Sequence, residues 1–360
     1  MSNHRILVIA EAGVNHNGSL DLALQLVEAA AAAKADVVKF QTFVPEEVIS
    51  QHAPKAGYQQ QTTGTQESQL DMVRKLWLPS DGFRTLQTRC RERGIGFLST
   101  PFDLGSLEFL AKDLDVPAIK IASGEITNAP LLLNAARSGK DILLSTGMAT
   151  LAEVEIALGV LAFGYVGLNQ SPSASAFADA FASPQGRNAL AARVTLLHCT
   201  TEYPAPFGDV NLRAMNTMRT AFGLPVGYSD HTLGISVPLA AAALGACVIE
   251  KHFTLDRSLP GPDHKASLIP DELASMVAAI REVEAALGSH MKLPSASERP
   301  NLAIARKSLV ARRAIRKGEC FSPENLAAKR PGTGLSPMLY WDCLRQVAKR
   351  DYAADEIIDG

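Results

Sequence analysis

The sequence predicts an α/β chain folded as a closed (β/α)8 barrel with a small second domain at its C-terminal end. Eight short apolar runs, at 5–12, 36–43, 96–102, 118–123, 141–147, 194–200, 225–231 and 247–253, alternate with longer stretches. In those stretches, over 20–34, 82–93, 104–114, 131–138, 152–163 and 270–287, apolar residues recur at helical spacing. Eight such units within roughly 290 residues fit a barrel, which takes about 250 before insertions. An open doubly wound sheet is the competing topology. After 287 the pattern stops in a polar linker, Gly288-Ser289-His290-Met291-Lys292-Leu293-Pro294-Ser295-Ala296-Ser297. The expected organisation is therefore a barrel over 1–287, a linker over 288–300 and a small domain over 301–360. A piece of about 60 residues is marginal for a core of its own, so it is expected to lean on a barrel, its own or a partner's.

Each run ends in residues that an apolar barrel interior does not need. The first closes on Glu11, the second on Lys39 and Gln41, the third on Thr100, the fourth on Lys120 and Ser123, and the fifth on Ser145. The sixth leads into His198, Thr200, Thr201 and Tyr203, the seventh carries Ser229 and His231, and the eighth carries Glu250 and His252. In parallel α/β architectures the carboxyl ends of strands are where chemistry is done. His231 and His252 on neighbouring strand ends can grip one divalent metal and leave positions open. A lone buried ammonium is costly, so Lys39 and Lys120 need partners: either Glu11 and Glu250 as structural ion pairs, or a bound anion. Glu250 stands two residues before His252, so strand periodicity points both to one face, where Glu250 can activate water. Asp263, in Gly261-Pro262-Asp263-His264, puts a carboxylate beside the mouth or belongs to a plain turn. Cys199 reads as a small core residue.

Two segments exceed the repeat. Residues 45–78, with Lys55, Tyr58 and several Gln and Thr, follow the second strand and are expected to form a substrate lid. Residues 164–188 precede the sixth strand and read as a surface insertion without catalytic duty.

Composition limits the partners. The chain has 360 residues, 47% of them hydrophobic, and a net charge of -2 with both signs interspersed. That excludes a basic footprint for nucleic acid or a membrane surface. Five widely spaced cysteines without a C-x-x-C pair argue against a disulfide framework. Only five apolar residues precede Glu11, too few for a signal-peptide core, and no uncharged apolar run approaches the ~20 residues of a membrane span. A cytoplasmic location is expected.

Several sequence words, in this order, resemble the sialic acid (N-acetylneuraminate) synthase family. They are Ala10-Glu11-Ala12-Gly13-Val14-Asn15-His16-Asn17-Gly18, Val38-Lys39-Phe40-Gln41, Ser99-Thr100-Pro101-Phe102-Asp103, Ile119-Lys120-Ile121-Ala122-Ser123-Gly124 and Leu144-Ser145-Thr146-Gly147-Met148. Gly227-Tyr228-Ser229-Asp230-His231-Thr232 and Ile249-Glu250-Lys251-His252-Phe253 complete the set. Near the C-terminus, Arg306-Lys307-Ser308-Leu309-Val310-Ala311 and Lys329-Arg330-Pro331-Gly332-Thr333-Gly334 resemble the antifreeze-like (SAF) domain that the family carries.

The resemblance implies a metal-dependent transferase that condenses phosphoenolpyruvate with an N-acylated mannosamine-type sugar, N-acetylmannosamine or a 2,4-diacetamido-trideoxyhexose. The products are a nine-carbon 2-keto acid and phosphate. His231 and His252 would hold Mn²⁺, with Mg²⁺ or Co²⁺ as alternatives. Lys120, Ser123, Ser145, Ser229 and Thr100 would cradle phosphoenolpyruvate, with Thr201 standing where the family often has Asn. Lys39, Gln41, Tyr203 and Asp263 would orient the sugar, and Glu11 and Glu250 would handle protons. Arg330 would reach the N-acyl group of sugar bound in the other subunit of a domain-swapped homodimer. Three rivals remain at this stage: a Schiff-base aldolase using Lys39 or Lys120, a barrel synthase acting on a sugar phosphate, and a non-catalytic sugar- or ice-binding module.

Overall fold

The computed structural model describes residues 5–64, 67–167 and 170–359. Its eight barrel strands are β1 (Leu7–Gly13), β2 (Val37–Thr42), β3 (Gly96–Pro101), β4 (Ala118–Ile121), β5 (Asp141–Ser145), β6 (Val194–His198), β7 (Val226–Asp230) and β8 (Val248–His252). All pairings are parallel and run β3-β2-β1-β8-β7-β6-β5-β4. Because β1 pairs with both β2 and β8, the sheet curls into a nearly closed (β/α)8 barrel, with the remaining seam between β3 and β4.

Strand alternation divides the side chains into two sets. Val8, Ala10, Val38, Phe40, Ile119, Ile121, Ile142, Leu144, Leu196, Val226 and Ile249 point outward and pack with the helices as the main core. Ile9, Leu98, Leu143, Leu197 and Val248 point inward and form a separate apolar layer. Two residues further along the same faces stand Glu11, Thr100, Ser145, Cys199 and Glu250. The inward layer thus makes a dry plug directly under the residues expected to do chemistry. At β7 the plug position is Gly227, where a Cβ would lie 2.6 Å from the Val248 carbonyl oxygen.

Helices fall where the periodicity put them, with three differences. The segment over 104–114 begins as an α-helix, Leu104–Glu108, and continues as a π-helical turn, Phe109–Asp113. Helix Ala214–Phe222, between β6 and β7, was not anticipated, since only Met215 and Met218 mark its buried face. The region 164–188 is not a loose insertion. Helix Leu151–Val166 runs through the buried Gly164, and helices Ala174–Ala182 and Pro184–Arg193 follow as added layers. Phe177 meets Phe163 edge-on at 5.3 Å, and Gly159 is the gap that admits the Phe177 backbone.

The chain divides into two compact units, Met1–Gly288 and Ser289–Gly360. Within the second, β9 (Ser308–Ala311) pairs antiparallel with β10 (Leu326–Lys329) over a small core of Leu309, Ile315, Phe321, Leu326, Tyr352 and Ile358. Helix Arg299–Ala305 belongs to this unit: Gly332 N donates to the Ala303 carbonyl at 2.7 Å. Among the described residues no helix is long and apolar enough to cross a membrane.

Candidate active site

Register brings the site together. Glu11 on β1 stands opposite Lys39 on one side and His252 on the other, Gln41 pairs with Thr100, and Ser229 pairs with Glu250. A cavity of about 280 Å³ opens above the apolar plug. It is lined by Glu11, Lys39, Gln41, Thr100, Lys120, Ser123, Ser145, Thr201, Tyr203, Ser229, His231, Glu250, His252 and Asp263, which is every barrel residue to which the resemblance gave a role; the strand-end residues His198 and Thr200 lie outside it. Arg330 lies in the second unit, where its Nε donates to the Ala305 carbonyl at 3.0 Å.

Four charges form the floor. Lys39 Nζ lies 2.7 Å from Glu11 Oε2 and 3.7 Å from Glu250 Oε2, and donates to Thr100 Oγ1 at 3.2 Å. Lys120 Nζ donates to Ser145 Oγ at 2.7 Å and lies 3.7 Å from Glu250 Oε1, which accepts from Ser229 Oγ at 2.8 Å. All four groups are buried, so desolvation opposes each charge and neighbours decide the outcome. Burial pushes Glu11 up to about 7, with Lys39 opposing it. Burial also works against Glu250, but Lys120, Lys39 and the Ser229 hydroxyl overcome it and hold that carboxyl below its ordinary value. Lys120 is pushed down by burial, whereas Glu11 and Glu250 outweigh the burial of Lys39 and raise it. The floor therefore pairs one firmly ionised carboxylate with one poised near neutrality.

The two imidazoles sit at one side of this floor with ring centroids 5.5 Å apart, and Tyr203 packs 4.2 Å from His231 and 5.5 Å from His252. His231 Nδ1 is 2.6 Å from the Thr200 carbonyl, a contact that fixes Nδ1 as the donor and leaves Nε2 as a lone pair. Burial lowers the pKa of both rings, and His231 depresses His252 further. Neutral imidazoles are what a divalent ion requires. His252 Nδ1 is buried without a hydrogen-bond partner, 3.9 Å from Asp263 Oδ2, and burial raises Asp263 to about 6. The donor set fits a divalent cation held by two nitrogens; among the described residues no third His, Cys, Asp or Glu completes a cage.

Opposite β4 to β6, Ser123 Oγ lies 3.1 Å from Cys199 Sγ and accepts from Gly147 N at 3.1 Å. Cys199 is buried, but it also touches a site serine, which a reading as core alone missed. A Cβ on Gly147 would come within 2.3 Å of Thr201 Oγ1, itself a buried hydroxyl without a hydrogen-bond partner. The close approach needs glycine there.

Two supporting networks had weak sequence signals. Asn15 Nδ2 donates to the Phe253 carbonyl at 2.8 Å and to Ser267 Oγ at 3.0 Å, and Ser267 Oγ donates to the Asp263 carbonyl at 2.7 Å. His264 bridges Thr254 Oγ1 at 2.7 Å and Asn17 Oδ1 at 3.3 Å. The loop carrying Asp263 is thereby tied to the Asn15-His16-Asn17 turn after β1, whose run of polar residues was the available clue. The second network, Lys251 with Asp230, lies outside the barrel wall.

The expected lid covers the mouth. Helices Pro45–Val48, Gly57–Thr63 and Gln69–Arg74 contribute Val48, Gln59, Gln69, Met72 and Val73 to the cavity lining, and Ile49 and Leu76 just beyond two of them join it. Lys55 is structural: it holds Thr63 Oγ1, the Gly64 carbonyl and Glu67 at 2.9, 3.0 and 3.2 Å. The side chain of Tyr58 lies outside the described residues.

Comparison with known proteins agrees with this geometry. The NeuB family matches residues 26–292 and the SAF domain matches 306–360. An N,N'-diacetyllegionaminic acid synthase of Campylobacter jejuni is 50% identical over 98% of this chain and 99% of its own length. One from Legionella pneumophila is 45% identical over 93% and 88%. The crystal structure of an N-acetylneuraminic acid (sialic acid) synthetase from Leptospira borgpetersenii superposes with a TM-score of 0.67 at 36% identity, covering 83% of this chain and 90% of that one. A polar ring of this composition above an apolar plug, on a chain that matches such relatives from end to end, establishes that the protein belongs to the NeuB family and carries a SAF domain at its C-terminal end.

Proposed function

We propose that the protein is a nonulosonic acid synthase that condenses phosphoenolpyruvate with an N-acylated amino sugar and releases phosphate. The observation that carries this reading is the buried quartet Glu11, Lys39, Lys120 and Glu250 beside two neutral imidazoles: cations for a dianion, carboxylates for protons and nitrogens for a metal, all facing one cavity. The preferred sugar is a 2,4-diacetamido-2,4,6-trideoxy hexose, by similarity to the two legionaminic acid synthases.

Lys120, Ser145, Ser123, Thr100 and Ser229 bind the phosphate and carboxylate of phosphoenolpyruvate, where positive charge and hydroxyl donors converge. Thr201 stands beside them. Lys39, Gln41, Tyr203 and Asp263 orient the open-chain sugar. His231 and His252 hold Mn²⁺ or a similar ion, which when bound supplies Lewis-acid polarisation of the sugar aldehyde. In the reaction, C3 of phosphoenolpyruvate forms a bond to C1 of the sugar, water adds at C2, and phosphate leaves with the C2–O bond broken. Glu250, held ionised by two lysines, takes the proton from the water, and Glu11, titrating near neutrality, returns one to the new hydroxyl. Lys39 keeps its proton between them, which favours its role as a fixed cation over that of a Schiff-base nucleophile.

The same reading makes the molecule a cytoplasmic, domain-swapped homodimer. Its support is that all five cysteines are free thiols, as a reducing compartment keeps them, and that Arg330, proposed to read the N-acyl group of sugar in the other subunit, belongs to the second unit. A phosphate-release assay with Mn²⁺ over N-acetylmannosamine, its 6-phosphate and the legionaminic and pseudaminic precursors tests it. Turnover is expected to be fastest with the legionaminic precursor; absence of release with all four overturns the reading.

A further inference from the structure

We propose that Val48 and Val73, on the inner face of the lid, select a sugar whose far end carries methyl groups in place of hydroxyls. The inference rests on the synthase reading and adds which side chains set its sugar preference.

The cavity has two chemistries. Its floor is the charged quartet and the imidazoles at the strand ends, which fix where the reacting carbon must lie. Its roof is apolar: Phe43, Met72 and Leu76 are buried, and Val48, Val73 and Phe102 are half-buried against them and line the same space. This arrangement is not what the lid's composition alone would give, since residues 45–78 are rich in Gln, Thr, Glu and Lys. The charged groups turn away from the cavity. Glu46 and Arg74 pair on the exposed side at 2.8 Å, while Lys55 is consumed by Thr63, Gly64 and Glu67. Segregation of this kind leaves an apolar face toward the cavity.

A sugar whose C1 is held at the floor must project its distal carbons toward that roof. Hydroxyl groups placed there lose water without gaining a partner, whereas a C6 methyl and the methyl of an acetamido group lose nothing by leaving water. Gln69 is a polar side chain on the same lining that an acetamido group can meet, whereas the Gln59 amide oxygen already accepts from Ala56 N at 2.9 Å. The roof therefore rejects a hydroxylated end more than it attracts a deoxy one.

The test uses the full-length protein and measures kcat/KM from phosphate release with two sugars: the 2,4-diacetamido-2,4,6-trideoxy hexose and its counterpart bearing a 6-hydroxyl. The wild type is expected to prefer the deoxy sugar by about tenfold or more, the scale on which apolar pockets discriminate. The double variant Val48→Thr/Val73→Thr replaces a methyl by a hydroxyl at nearly constant volume. It should narrow that ratio toward unity and leave the Michaelis constant for phosphoenolpyruvate unchanged. A wild type indifferent to the 6-hydroxyl overturns the proposal, as does a folded variant, checked by circular dichroism, that keeps the wild-type ratio. Single Thr variants serve if the double variant does not fold. Failure of every sugar to release phosphate would instead sink the synthase reading, and the proposal with it.

Discussion

Strand β8 ends in Glu250-Lys251-His252, and its alternation sends two buried ion-pair systems to opposite sides of one wall. Inward, Glu250 meets Lys39 and Lys120 at 3.7 Å each and faces a cavity. Outward, Lys251 pairs with Asp230 and donates to the Thr232 carbonyl. Asp230 also accepts from Tyr228 OH at 2.9 Å, Thr232 N at 3.1 Å and Thr232 Oγ1 at 3.0 Å. Both systems are shielded from solvent, and both contain a lysine. The outer one is saturated, whereas in the inner one both lysines stand 3.7 Å from Glu250, one carboxyl is raised to about 7 and an imidazole nitrogen nearby is orphaned. Unused bonding capacity, more than burial or charge, separates a site from a strut. The outer pair clamps β7 to β8 immediately before His231 and His252, so it sets the spacing of the rings without touching a substrate.

Breaking the inner side should cost activity first. His231→Ala or His252→Ala is expected to abolish phosphate release with the fold retained by circular dichroism; near-normal turnover in either variant would remove the metal assignment. Glu250→Gln keeps the Ser229 contact but cannot accept the proton, and kcat should fall by about 10²–10⁴-fold with the fold retained by circular dichroism. On the outer side the readouts exchange places. Lys251→Met leaves Asp230 buried and uncompensated, which destabilises by roughly 3–5 kcal/mol in denaturant titration. If Lys251→Met instead unfolds no more easily than wild type, the distinction between strut and site fails.

The smallest effect is a pH dependence. Glu11 is raised from its ordinary 4.5 to about 7 in the folded protein, so between those values the native state binds more protons than the unfolded chain. Its contribution to stability is therefore full below about 4.5 and declines as pH climbs toward 7. Melting curves of wild type and Glu11→Gln should diverge across that window, with the variant flatter. Parallel curves would mean that Lys39 holds Glu11 ionised throughout.

Much of this was legible in the chain because periodicity of two is a local property. Each of the eight apolar runs contains most or all of a strand, and of the residues two positions beyond the plug side chains, Glu11, Thr100, Ser145 and Glu250 could be named as lying in the mouth, while Cys199 was read as core. Where reading failed, the signal was non-local. Helix Ala214–Phe222 buries little along one stripe, and the helices after Gly164 acquire their apolar face only by packing on Leu151–Val166. Asp230 and Lys251 carried no reading of their own from sequence, since nothing there tells a saturated pair from an open one.

The sequence by itself determined the barrel, the division near residue 288 and the roster of polar groups at the strand ends, because hydrophobic spacing and strand alternation act between near neighbours. Only the tertiary structure decided which of those groups share a cavity, which carboxyl is driven toward neutrality and which face the lid turns inward. These depend on desolvation and on charges from different strands, and those exist only once the barrel is closed.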